Sequence, residues 1–360
     1  MTENNQIGGN IPDTAIKPVP LFEATSSGAV RCKVCGIGCE LLEGQSGVCK
    51  VRTNRAGNLI ALNYGIISHA DLERVERKYL YHFFPGTKVF SVGGYGLNYP
   101  KVGEVAHTDD FPAGNIRVLP VEKIVKFSIE QHCRGVVFAY NEPSMWYEFL
   151  YDAMRLVKAN GMFTAIVTNG YFTTEVLNNI GDYLDGILLE INSFNEETFQ
   201  VFSGQTQFQQ ILENASQAQH KFKVHVEINT KIVPGINDSA TEMKTIAAWI
   251  KQALGETTPW HLSLAGDGNP AILYYIKSLA EENGLKYVYL HNVEQQKIQL
   301  ATSGVTINSD NTAGGNTFCY KCHRLLISRT ETEANSTGLE RDRCTYCGVE
   351  TSVHNTIWKL

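Results

Sequence analysis

No stretch of the chain approaches the ~20 consecutive apolar residues that a membrane-spanning helix needs. The opening, MTENNQIGGNIPDTAIKPVP, has no apolar core. Residues 1–28 therefore read as a flexible lead-in, neither signal peptide nor anchor, and the chain as cytoplasmic. An excess of positive charge is also missing. The formal net charge is −6, with charged residues at 19% of 360, so neither nucleic acid nor an anionic membrane is expected as a partner. The GxGxxG fingerprint of dinucleotide folds does not occur. Cysteine is absent between residues 50 and 132, and that gap gains meaning below.

The cysteines that do occur are clustered. Four lie within residues 32–49 and four within 319–347, with Cys133 alone between them. In a reducing compartment structural disulfides are rare, so paired cysteines argue for metal ligation. The C-terminal cluster, FCYKCHRLLISRTETEANSTGLERDRCTYCG, holds Cys319 and Cys322 as one CxxC and Cys344 and Cys347 as the other, 21 residues apart. A CxxC turn presents two thiolates on one side of a tight loop, and two such turns make a tetrahedral sulfur site. A zinc ribbon over 315–355 is expected. The N-terminal cluster, RCKVCGIGCELLEGQSGVC, supplies Cys32, Cys35, Cys39 and Cys49 within 18 residues. Its spacing suits zinc and equally an iron–sulfur cluster, and redox-active or unligated thiols are a further alternative. This module is placed at 29–65. Lone Cys133 reads as a buried core thiol.

Between the clusters, short apolar runs alternate with amphipathic stretches. Candidate strands are 87–93, 135–140, 162–168, 186–192, 224–232, 260–265 and 286–290, separated by helical patterns near 121–133, 144–159, 173–182, 208–220, 238–254 and 270–283. Such alternation implies βαβ units and a parallel sheet. The expected fold class is α/β, a partial (β/α)6 TIM-like barrel over 80–295 flanked by the two cysteine-rich modules. In such barrels chemistry sits at the C-terminal strand ends. There the sequence places Asn141 and Glu142, Thr168 and Asn169, and Glu190 and Asn192. Each alone is equally a helix cap; together they suggest a pocket.

These residues carry a resemblance that runs from about residue 30 to 350. VRCKVCGIGCELLEGQSGVCKVRTNRAGNL, YLYHFFPGTKVFSVG, AYNEPSMWYEF, VTNGY, VPGINDS, PWHLS and GLKYVY are similar to stretches of the radical S-adenosylmethionine proteins of the AmmeMemoRadiSam group, relatives of pyruvate formate-lyase activating enzymes. The resemblance implies a partial barrel with S-adenosylmethionine across its top and a four-iron four-sulfur cluster on a CxxxCxxC loop after the first strand. Here that loop reads GYGLNYPKVGEVAH, with Leu97, Lys101 and Glu104 at the cysteine positions. Reductive cleavage needs an electron from the cluster and an open iron site, so the radical chemistry of the family is not expected.

The resemblance also implies cofactor contacts for Asn141 and Glu142 of the NEP motif, for Asn169 of VTNG and for His261 of PWH. The family's DLK becomes Glu190, Ile191 and Asn192, which keeps the acid and loses the lysine. The substituted loop offers Glu104, His107, Asp109 and Asp110, which could ligate a non-sulfur metal or form a solvated loop. His291 is a further candidate at the mouth, and His82 reads as a structural contact.

The expected function is that of a non-canonical radical-SAM-fold metalloprotein. It would bind S-adenosylmethionine or a similar small molecule at the barrel mouth and act by cluster-independent chemistry. Glu142, Glu190, His261 and His107 are the candidates for acid–base or metal roles. Two alternatives stay open: a catalytically silent scaffold that pairs with a protein partner, and a true radical enzyme with an atypically ligated cluster.

Overall fold

In the computed structural model, residues 11–98, 116, 118–266, 268–291, 315–330 and 332–357 are described. The centre is an eight-stranded sheet. Its strands are β1 (His69–Arg74), β2 (Lys88–Gly93), β3 (Gly135–Phe138), β4 (Phe163–Thr168), β5 (Gly186–Glu190), β6 (His225–Ile232), β7 (Trp260–Leu264) and β8 (Val288–His291). They lie in chain order, with β1 antiparallel to β2 and β2 through β8 parallel. Strands β1 and β8 are not paired, so the barrel is not closed. The expected α/β class is present, with one correction: β1, HADLER, is an additional antiparallel edge strand. Its half-exposed, charged pattern carries no apolar alternation and hid it from periodicity.

Helices fill each crossover: α1 (Val121–Glu130), α2 (Tyr147–Ala159), α3 (Thr174–Ile180), α4 (Glu196–Ser203), α5 (Gln209–His220), α6 (Ala240–Trp249) and α7 (Ala271–Glu282). The apolar stripe of α2, Phe149, Leu150, Ala153, Met154 and Val157, is buried at helical spacing against the sheet. Short polar side chains start three of the helices. Thr173 accepts from Val176 N–H, Asn195 from Thr198 N–H and Ser239 from Glu242 N–H. Among the described residues no helix is long and apolar enough to cross a membrane.

The floor of the barrel is closed by the chain itself. Leu80, Phe83 and Phe84 turn inward and pack with Val89, Val137, Phe163 and Leu188. Two glycines make room for these rings. A Cβ on Gly186 would sit 2.9 Å from the Phe83 ring, and one on Gly135 would sit 2.2 Å from that of Phe163. Burying each such aromatic contributes roughly 1.5–3 kcal/mol.

The amino-terminal part departs from the expected lead-in. Lys17–Pro18 pairs with Asn58–Ala61, and Phe22–Ala24 pairs with Val30–Cys32. Residues 11–28 are thus part of the cysteine module, because these strands supply edges that Val30–Cys32 and Asn58–Ala61 would otherwise leave open. The C-terminal module contains the strands Thr317–Phe318, Leu325–Arg329 and Ala334–Asn335 and a hairpin of Leu339–Glu340 with Arg343–Cys344.

Candidate functional site

The parallel register arranges the polar side chains by level. Glu190, Asn229, His261 and Tyr289 are Cα partners across β5 to β8, and Lys231, Ser263 and His291 form the next level towards the strand ends. Leu188 belongs to the interior cluster, so Glu190, two residues further on, faces the same interior. The upper inside of the sheet is therefore polar, while its floor is aromatic.

Three of the expected pocket residues are bound to one another. Glu142, buried, accepts from Ser144 N–H at 3.1 Å, from the Ser144 hydroxyl at 2.8 Å, from the Thr168 hydroxyl at 2.9 Å and from Asn169 N–H at 3.0 Å. It thereby ties the exit of β3 to that of β4. Burial pushes its carboxyl above the usual range, and these donors pull the other way. Asn141 accepts from Gly94 N–H at 3.0 Å and so joins the exits of β2 and β3. The amide of Asn169 donates to Asn98 Oδ1 at 2.7 Å. Glu190 is half-buried at the end of β5, beside a small pocket lined by Phe194, Phe199 and Phe208.

His261, for which the resemblance implies a cofactor contact, lies in the interior of the sheet. It is fully buried, with Nε2 2.8 Å from Glu227 Oε2 and Nδ1 2.9 Å from His291 Nε2. Glu227 was not singled out by sequence reasoning. Its VHVEINTKI strand alternates apolar residues with His225, Glu227, Asn229 and Lys231, a pattern that reads as a solvent face, and only the tertiary structure turns that polar face inward. His82 makes structural contacts, as expected: Nδ1 lies 2.7 Å from the Ser352 hydroxyl and Nε2 2.7 Å from the Tyr289 hydroxyl. Leu97, at the first cysteine position of the family, is buried and offers no ligand atom. The described residues therefore do not fit a cluster at that place. Lys101, Glu104, His107, Asp109 and Asp110 lie outside the described residues.

The C-terminal cysteines converge. Cys319 and Cys347 sulfurs are 3.6 Å apart and those of Cys322 and Cys344 are 3.7 Å apart, with all four within 4.8 Å of one another. A tetrahedral ion with ~2.3 Å metal–sulfur bonds has sulfur–sulfur edges of ~3.8 Å, so the quartet can hold a metal. Its two halves repeat the same backbone. His323 N–H bonds Cys319 O and Gly348 N–H bonds Cys344 O, both at 2.9 Å. Both residues sit in the left-handed region, His323 at φ 58° and Gly348 at φ 69°. Burial opposes ionisation of Cys344, but backbone N–H groups of Cys347 and Tyr346 outweigh it and bring the thiol down to about 7.

The N-terminal four line one small cavity with Arg52, Asn98 and Met145. A Cβ on Gly47 would make ordinary contact with two of the thiols, 3.5 Å from the Cys39 sulfur and 3.7 Å from that of Cys49. Without a metal, burial pushes the Cys32 thiol up to about 11, although Arg52 opposes this. The module docks on the exit of β4: Cys35 bridges Phe172, and the Thr173 hydroxyl donates to Lys33 O.

Residues 106–250 match the model of the Radical SAM superfamily. Uncharacterized protein MJ0808 of Methanocaldococcus jannaschii is 32% identical over 341 residues, covering 91% of this chain and 96% of that one. The pyruvate formate-lyase-activating enzyme of Clostridium pasteurianum is 27% identical over 147 residues, 39% of this chain and 60% of that protein. Among solved structures, a domain of the pyruvate-formate lyase-activating enzyme of Bacteroides vulgatus ATCC 8482 aligns with TM-score 0.38 and 18% identity, over 43% of this chain and 98% of that one. The chain belongs to the Radical SAM superfamily and is like the pyruvate formate-lyase activating enzymes within it.

Proposed function

We propose that this protein is a cytoplasmic zinc-binding member of the superfamily that holds S-adenosylmethionine or a similar small ligand at the barrel mouth, without cluster-driven cleavage. The observation that carries the reading is the inward polar row at the strand ends, Glu190 and Asn229 with Ser263 and His291 above them, beside a buried Leu97 where the family's first thiolate would stand. Those residues would contact the ligand, with Glu190 as the carboxylate for an ammonium group. Glu142, Asn141 and Asn169 would act from behind by fixing the strand exits, and His261 through its neighbours. His107 remains a candidate on sequence grounds. Zinc suits the C-terminal quartet because four thiolates at tetrahedral spacing match its preferences. The N-terminal quartet would take zinc or an iron–sulfur cluster.

Metal analysis after anaerobic purification, with S-adenosylmethionine titrated calorimetrically, tests this. Zinc without iron, together with binding of the ligand, is the expected result. A chain that binds no such ligand would be the silent scaffold of a protein partner, a reading favoured by the internal satisfaction of Glu142. Iron and sulfide in the preparation would favour an atypically held cluster in the N-terminal quartet, which shares its cavity with Asn98 of the mouth.

A further inference from the structure

Four buried histidines surround the interior carboxylate Glu227: His82, His225, His261 and His291. Every contact to Glu227 comes from a donor group. Oε1 receives His82 N–H at 2.8 Å and His225 Nε2 at 3.0 Å, and Oε2 receives Tyr81 N–H at 3.0 Å and His261 Nε2 at 2.8 Å. Four donors around one buried carboxyl favour its ionised form. An ionised carboxylate only accepts, so the proton of His261 sits on Nε2 and its Nδ1 carries a lone pair. That lone pair faces His291 Nε2 at 2.9 Å, which must therefore donate. The Nδ1 of His291 is left as an acceptor, and no hydrogen bond to it is made among the described residues. His291 ends β8, level with Ser263 and Lys231 at the mouth.

We propose that Glu227, His261 and His291 form a hydrogen-bond relay that fixes the His291 tautomer and presents its Nδ1 lone pair to the barrel mouth, where it accepts a hydrogen bond from an N–H or O–H of a small ligand. No covalent bond changes in this contact: the four donors keep Glu227 ionised, His261 and His291 keep their Nε2 protons, and the ligand keeps its own.

The surroundings hold both rings in place and neutral. Tyr79 stacks on the His291 ring at 3.8 Å, Tyr81 stands edge-on to both rings at 5.0 and 5.2 Å, and Tyr289 stacks on His261 at 5.2 Å. Arg329 lies over Tyr81 at 4.5 Å, and His225 shares the same carboxylate. Burial is the largest cause that disfavours a positive ring at either histidine; Arg329 adds to it and Glu227 opposes it. Glu227 is the acceptor at the inner end of the chain of hydrogen bonds. The relay rests on this geometry, whereas the ligand class rests on the pocket proposed above.

Histidine-selective 15N labelling of the full-length chain, read by long-range 1H–15N correlation, tests the relay. Both His261 and His291 are expected as neutral Nε2–H tautomers at about pH 7. An Nδ1–H tautomer at His291 would reverse the polarity and overturn the proposal. In Glu227→Gln the His261 signal should lose its single tautomer. Should that variant fail to fold, His291→Asn keeps the test open, because His261 must stay Nε2–H while its Nδ1 shift moves. With S-adenosylmethionine as probe, the His291 Nδ1 signal of the 15N-labelled chain should shift on binding, and Glu227→Gln should lose that shift. Binding that leaves the Nδ1 signal unmoved refutes the contact. Absence of binding counts against the ligand reading alone, since the tautomers still decide the relay.

Discussion

His261 Nε2 lies 2.8 Å from Glu227 Oε2 with neither side chain exposed to solvent. The pair joins β6 to β7 through their side chains in the middle of the sheet. It also orders the Tyr81–His82 segment, whose backbone N–H groups share the same carboxylate. Replacing Glu227 by Leu leaves four buried donors without an acceptor. A loss on the order of 3 kcal/mol or more is expected, since each such donor costs ~1–3 kcal/mol. Urea unfolding checks this, and a loss below ~1 kcal/mol would show that water or rearrangement replaces the carboxylate.

The ribbon is wired into the barrel floor. Ser352 donates to Thr257 O at 2.7 Å, so it accepts from His82 Nδ1–H, which leaves His82 Nε2 to accept from Tyr289. Tyr289 in turn takes the Thr317 proton at 2.7 Å, and Arg329 donates to Thr317 at 2.8 Å. Loss of metal from Cys319, Cys322, Cys344 and Cys347 should therefore reach beyond the ribbon. Cys344→Ala is expected to lower the metal content of the chain and the thermal midpoint of the whole protein. Metal analysis with calorimetry checks both, and a barrel transition unchanged in temperature would uncouple the two modules.

Acid should weaken the fold early. Burial holds His82 and His291 well below the ordinary histidine range, lowers His261, and brings His354 down to about 3. Below about pH 6.5 the unfolded chain binds protons at these four rings while the folded chain does not. Stability is thus full above that pH and falls as pH drops, by up to ~1.4 kcal/mol per unit for each ring that stays neutral. Urea midpoints between about pH 8 and 5 measure the slope. A flat profile would mean that the rings protonate in the folded state.

Arg52 and Glu148 form a buried pair at 2.8 Å, with side-chain exposures of 1% and 8%. Arg52 also donates to Met145 O at 2.9 Å, so the pair fixes the N-terminal module to the chain just past the Glu142 turn. Glu148→Ala strands a buried guanidinium and should cost about 3–5 kcal/mol, whereas Arg52→Met with Glu148→Leu should recover much of it. Denaturation of the three variants checks this. Equal losses in the single and double variants would show that packing, not charge, dominates.

The parallel strands and their helices were readable because each is a short apolar run bounded by turn residues, and the sheet returns them nearly residue for residue at Phe163–Thr168 and His225–Ile232. Helix α4 was missed, since Glu196–Ser203 carries only a brief apolar face of Phe199 and Phe202. The cysteine knuckles were legible from spacing alone, because a CxxC turn is a local structure.

The sequence by itself determined the C-terminal cysteine quartet, the order of βα units and the missing thiolates at the family's cluster loop, all of which follow from residue type and short-range spacing. Only the tertiary structure decided what the polar residues do. Glu142 looks like a ligand group in sequence and is a bracket between two strand exits. Glu227 looks like part of a solvent-facing polar row in an alternating strand and is the hub of the interior. Both outcomes depend on register and on which face a side chain takes, and those are fixed by contacts between residues far apart in the chain.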